Sequence, residues 1–187
     1  LPAAVAARAL GWFRITHTVF GAFAQLLPGK IYAGSGGCEY IGSMGGYHKD
    51  KTPWRAWVQV DSMLEAATGG FSDRDGMDGQ GGPVCNVSNI PVEALEMDQP
   101  IRIEEYALLP DSEGAGKFRG GIGLTRQYRY MEDDTIVQVR SDRRDHTPYG
   151  LYGGQPSGPC KIVFKKDGEE RTMPTKFLVT AQKGEVM

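Results

Sequence analysis

The chain has 187 residues, a formal net charge of −2 and 40% hydrophobic residues, with 21 Lys and Arg against 23 Asp and Glu. That length makes one sizeable domain or a domain and a half, and the apolar content excludes a disordered chain. The mixed charge leaves no basic stripe for nucleic acid or for a membrane surface, and no apolar run is long enough to span a bilayer.

Helical spacing comes first. Pro2 suits a first helical turn, and Val5, Ala9, Trp12 and Phe13 recur at three- and four-residue intervals to about Arg14. A second apolar run, Val19, Phe20, Phe23, Leu26 and Leu27, is stopped by Pro28-Gly29. The spacing predicts a helical pair over residues 1–29, continuing a domain whose N-terminal part is missing. The chain opens with Leu1-Pro2-Ala3, without an initiator methionine, so a piece of a longer polypeptide is expected. Its Ala-rich start lacks the basic n-region of a secretory signal.

Residues 30–187 read as a β-rich part. Short strand candidates, Lys30 to Ala33 and Cys38 to Ile41, flank a glycine cluster, and Trp54 to Val60 is a better strand. Thr68 to Gly82 is too rich in glycine and aspartate for a regular element, and Pro91 to Met97 suits a helical turn. Alternation of apolar and polar residues marks strands at Ile101 to Leu108, Leu124 to Tyr130 and Thr135 to Arg140. Lys161 to Phe164 and Arg171 to Met173 flank Asp167-Gly168, a strong hairpin signal, and Thr175 to Thr180 is the last strand. The order predicts an α+β fold: an N-terminal helical pair, then a mainly antiparallel region with long glycine-rich loops.

Glycine, 26 of 187 residues, concentrates where function is to be sought. Pro110-Asp111-Ser112-Glu113-Gly114-Ala115-Gly116-Lys117-Phe118-Arg119-Gly120-Gly121-Ile122-Gly123 lies between two strands and suits close backbone approach. Asp73, Asp75 and Asp78 sit in another glycine-rich stretch that only begins a calcium-loop pattern. A turn held by aspartate side chains is the expectation there, with no metal bound. His17, His48 and His146 have no metal-pair spacing. Cys38, Cys85 and Cys160 include no C-x-x-C pair and suit reduced thiols in a cytoplasmic protein. Arg143 and Arg144 stand beside Asp142 and Asp145, as ion pairs or, alternatively, as an anion-binding fork. Neither a nucleophile elbow nor a Walker loop occurs.

Several motifs stand in one order. Gly69-Gly70 precedes Asp75-Gly76-Met77-Asp78-Gly79; then come Asn86-Val87-Ser88-Asn89-Ile90-Pro91-Val92-Glu93 with Glu96, and Pro100-Ile101-Arg102-Ile103-Glu104-Glu105-Tyr106. The Pro110 to Gly123 segment follows, then Ser141-Asp142-Arg143-Arg144 and Pro148-Tyr149-Gly150-Leu151-Tyr152-Gly153-Gly154. From about Lys30 onward the chain resembles the C-terminal half of the hydantoinase B/oxoprolinase family. The resemblance implies a partner of the hydantoinase A type that binds ATP, fused or separate, in a hetero-oligomer that opens cyclic amides such as hydantoins or 5-oxoproline. A related branch carboxylates ketones such as acetone or acetophenone. Both imply activation of an amide or enol oxygen by phosphorylation, followed by attack of water or carboxylation. ATP then comes through the partner, and the family's divalent-metal ligands lie N-terminal to the region present here.

Many hydrolase-type relatives carry H-x-H just after D-G-x-D-G, where this chain has Gly81 and Pro83. The carboxylase reading therefore stays open, as does that of a docking scaffold whose chemistry lies elsewhere. Asp75, Asp78, Asn86 and Asn89 are candidates to line or support a substrate pocket, with Arg143 or Arg144 facing the partner or an anionic intermediate. No catalytic residue is assigned.

Overall fold

The computed structural model describes residues 9–36, 40–62, 67–81, 84 and 88–187. Its first element is one continuous helix, α1 (Ala9–Leu26), in place of a break between the two apolar runs. Nothing between Arg14 and Val19 interrupts it. Thr16 and Thr18 donate their hydroxyls to the Trp12 and Arg14 carbonyls one turn earlier, a bond that satisfies the side chain without ending the helix. Pro28-Gly29 stops it, with Gly29 at φ 72. The first part of the expected pair, residues 1–8, lies outside the described residues. A second helix, α2 (Val92–Asp98), forms where a helical turn was expected.

The strands are β1 (Tyr40–His48), β2 (Arg55–Ser62), β3 (Ile101–Leu108), β4 (Leu124–Tyr130), β5 (Thr135–Ser141), β6 (Val163–Lys166), β7 (Glu169–Thr172) and β8 (Lys176–Ala181). Every ladder is antiparallel. One sheet has the order β2-β1-β5-β8. β3 pairs with β4 and β6 with β7, and the last residues join the two pairs: Val186 bridges both Arg129 and Lys165. Asp167 (φ 50) and Gly168 (φ 85) supply the two left-handed positions that a tight β6–β7 turn requires.

β1 corrects the expectation of short strands at Lys30 to Ala33 and Cys38 to Ile41. The first of these is irregular, and residues 38 and 39 lie outside the described residues. β1 instead runs through Gly42, Gly45 and Gly46, residues that weaken a strand signal. It is held on both sides, by β2 and β5. A Cβ on Gly45 would stand 3.1 Å from the Trp57 carbonyl oxygen, so a small residue suits that close approach.

The inner faces of the sheets share one core: Met44, Trp57, Val137 and Val139 from the first, with Ile101, Tyr128, Tyr130 and Phe164 from the second. Tyr130 and Phe164 stack at 6.1 Å between ring centroids. α1 buries Phe13, His17 and Ala24 but leaves Trp12, Ile15, Val19, Phe23 and Leu26 exposed.

Candidate functional site

Four irregular segments, residues 29–36, 67–79, 109–123 and 148–160, come together in the structure. With neither helix nor strand to satisfy their peptide groups, they bond to one another. Ala33 N donates to Gly70 O (2.9 Å), Gly34 N to Tyr149 O (2.8 Å), Gly121 N to Thr68 O (2.8 Å) and Gln155 N to Ala115 O (2.7 Å). Glycine permits this proximity. A Cβ on Gly121 would fall on the Met77 carbonyl group, which leaves no room for a side chain.

Asp75 and Asp78 reach across to the Pro110 to Gly123 segment. Asp75 Oδ1 accepts from the Arg119 amide at 3.0 Å. Asp78 Oδ1 accepts from Arg119 Nη1 and from the Ile122 amide, each at 2.8 Å. The Arg119 hydrogen bond, with the Ile122 amide second, holds the Asp78 carboxyl below the usual carboxylate range. These side chains therefore fix the opposite loop as well as their own turn.

The four segments, together with β4 residues 124–128, residues 161–163, Lys165, Tyr40 and Met187, line a cavity of about 810 Å³. Glycines and other small residues make much of its wall, with Tyr40, Phe71, Phe118, Tyr128, Tyr149 and Tyr152 among the larger ones. Its charged lining consists of Lys117, Arg126, Lys161 and Lys165, with no carboxylate side chain among the described residues.

Arg126 sits where the cavity meets the interior between the sheets. Its Nη1 donates to both Asp61 carboxylate oxygens, at 3.0 and 3.1 Å, and to the Tyr128 hydroxyl at 3.0 Å. Nη2 donates to Asn89 Oδ1 at 2.6 Å, and the guanidinium lies 4.1 Å from the Tyr106 ring centroid. The Tyr128 hydroxyl donates in turn to Asp61. The Arg126 and Asp61 side chains are 7% and 6% exposed, so this charged pair is removed from water. Sequence reasoning passed over both residues, although a signal existed. Arg126 shares a strand face with the inward-pointing Tyr128 and Tyr130, and Asp61 shares one with Trp57 and Gln59. A charge at an inward position requires a buried partner.

The remaining candidates lie apart from the cavity lining. Arg143 Nη2 donates to His17 Nδ1 at 3.1 Å, and Arg144 Nη1 to the Met173 carbonyl at 3.0 Å. With Nδ1 accepting, the His17 Nε2 proton faces Ser35 Oγ at 2.8 Å. His17 is thus placed to donate to Ser35 and does not serve as its base. Burial, aided by Arg14 and Arg143, lowers the His17 pKa to about 3. Asn89 meets Arg126, Asp75 and Asp78 brace one wall from outside, and Asn86 lies outside the described residues. None of the five described candidates lines the cavity itself. No group of three His, Cys, Asp or Glu side chains among the described residues is placed to hold a metal ion, so no metal-dependent step is assigned to them.

The family model described as hydantoinase B/oxoprolinase matches residues 1–187. The B-type chain of a putative D-/L-hydantoinase from a Pseudomonas species is 30% identical over 178 residues, covering 94% of this chain and 29% of the relative. The crystal structure of ATP-dependent caprolactamase from Pseudomonas jessenii matches with a TM-score of 0.74 and 25% identity, over 88% of this chain and 30% of that one. Nucleotide-free acetone carboxylase matches with a TM-score of 0.62 and 14% identity, over 94% of this chain and 27% of that one, a likeness of fold. The chain spans 29% of the length of that hydantoinase relative.

Proposed function

We propose that this chain, which belongs to the hydantoinase B/oxoprolinase family, forms one wall of the substrate site in an ATP-dependent cyclic-amide hydrolase. The carrying observation is the 810 Å³ cavity built where the family's glycine motifs converge. In this reading the chain belongs to a B-type subunit working with a hydantoinase A-type partner. That partner supplies ATP chemistry, and a divalent metal belongs to another part of the complex. The hydantoinase and caprolactamase names of its relatives support ring opening of an amide as the reaction class.

The residues here bind and orient. Opening a cyclic amide develops negative charge on its oxygen, and donors fixed in a water-poor site are worth about 3–4 kcal/mol each where one has been removed from an enzyme. Peptide N–H groups at 119–123 already donate to Asp75, Gly114, Thr68, Asp78 and Ser112 and shape the wall, which leaves that task to other donors of the lining. Asp75 and Asp78 position the 119–122 wall, and Asn89 steadies Arg126.

The test uses the full-length subunit with its ATP-binding partner. Asp78→Ala and Asn89→Ala are expected to reduce ATP-dependent ring opening at least about tenfold, the scale of a lost charge-assisted hydrogen bond. Unchanged turnover of every accepted cyclic amide overturns these assignments. The isolated chain is expected to be inactive, and lactam hydrolysis by it alone contradicts the division of labour.

Gly81 and Pro83 in place of H-x-H favour one competing reading, an ATP-dependent ketone carboxylase. Bicarbonate-dependent ATP hydrolysis with a ketone, and none with a lactam, selects it.

A further inference from the structure

We propose that the outer face of the β2-β1-β5-β8 sheet seats an amphipathic helix with an acidic end, supplied by the part of the full-length subunit that lies outside this chain. The inner face of the sheet rests on the core, and an outer face left to water carries polar side chains. Here Val58 and Val60 of β2, Ile136 of β5 and Leu178 of β8 point outward and are 54–70% exposed. The register sets them in rows. Gly45 lies between Val58 and Ile136, Ser43 between Val60 and Gln138, and Leu178 follows Gln138. Small residues along β1 therefore make a trough with apolar ridges on either side. Adjacent strands are about 4.8 Å apart, so the ridges on β2 and β5 stand roughly 10 Å apart, about the width of a helix with its side chains.

One end of the trough is charged. Arg140 of β5 and Lys176 of β8 face outward directly opposite each other, a placement in which like charges repel. Neither forms an ion pair among the described residues. Asp142 nearby is taken by Arg14 at 2.9 Å. The outward positions of the four strands carry no carboxylate among the described residues. A helix bringing Asp or Glu to this end answers both cations at once. A second copy of the chain does not, because its identical face adds two more cations and no acid. The longer polypeptide has the material to do so. The matched region is 29% of the hydantoinase relative and 30% of the caprolactamase chain, and an apolar sheet face is stable only beneath another layer.

Hydroxyl-radical footprinting of the wild-type full-length subunit, alone and with its ATP-binding partner, tests this without any substitution. Oxidation of Val58, Ile136 and Leu178 is read by mass spectrometry against the denatured subunit. A side chain taken from half exposed to below about 5% loses about tenfold of its accessible surface, so protection of about tenfold or more is expected in the subunit alone, unchanged on dilution. Protection below about twofold leaves the face in water and overturns the proposal. Protection that fades on dilution assigns the face to a second copy, and protection that needs the partner assigns it to that chain; each of these also overturns it. A carbodiimide then couples Lys176 to the carboxylate in contact with it. The coupled acid is expected in a segment outside residues 1–187, with apolar residues at three- and four-residue spacing. Coupling only to acids within residues 1–187 removes the acidic helix and overturns the proposal.

Discussion

His17 shows how much of this molecule depends on single polar groups. It is 4% exposed and joins α1 to Ser35 and Arg143. Its pKa falls from 6.5 to about 3 on folding, so the unfolded chain holds the extra proton between those values. Stability from this group is therefore complete above pH 6.5 and lost progressively as the pH falls towards about 3. Asp78, whose folded pKa is also lowered, begins to lose its contribution only as the pH falls below the ordinary carboxylate value of 3.8. Denaturant titrations from pH 7 downward are expected to show the earlier decline, and His17→Gln to flatten it relative to wild type. A wild-type curve level between pH 6.5 and about 4 contradicts the burial of a neutral imidazole.

At the scale of elements, Arg126 and Asp61 join β4 to β2 across the interior. Removing one member strands the other charge, at a cost of about 3–5 kcal/mol. Arg126→Met should show that loss in the denaturation midpoint, and adding Asp61→Leu should restore much of it. A single-variant cost below about 1 kcal/mol would place the pair in water, contrary to its burial. This pair also marks the limit of what the sequence discloses. Strands β3 and β4 were legible to the residue from their alternation of apolar and polar side chains, which coincides with burial at Ile101, Tyr128 and Tyr130 while the second half of β3 is exposed. The β6–β7 hairpin was legible because Asp167-Gly168 names its own turn. β1 was not, since Gly42, Gly45 and Gly46 resemble a loop until two neighbouring strands bind it. Asp61 and Asn89, which hold Arg126, lie 65 and 37 residues away in the chain, beyond the reach of any local pattern. Asp75 and Asp78 were seen as polar residues of a turn and as candidates to line or support a pocket, but their bonds to the opposing loop span 44 residues.

For the whole molecule, the outer face of α1 carries a row of exposed apolar side chains. Trp12, Ile15 and Leu26 are 65%, 67% and 73% exposed, on a helix whose described side chains include one charge, Arg14. A helix apolar on nearly every side is ordinarily an interior helix. The isolated chain is expected to self-associate, and Ile15→Lys with Val19→Lys to leave it monomeric in sedimentation velocity without lowering its unfolding midpoint. A monomeric wild-type chain at high concentration contradicts the expectation. The glycine-walled cavity has a different consequence. Main-chain groups are alike in every protein, so the part of the wall that the glycines leave to them offers few positions at which substitution can tune selectivity. Discrimination among ligands must then fall to the bulky side chains of the same lining, Tyr40, Phe71, Phe118, Tyr128, Tyr149 and Tyr152 among them.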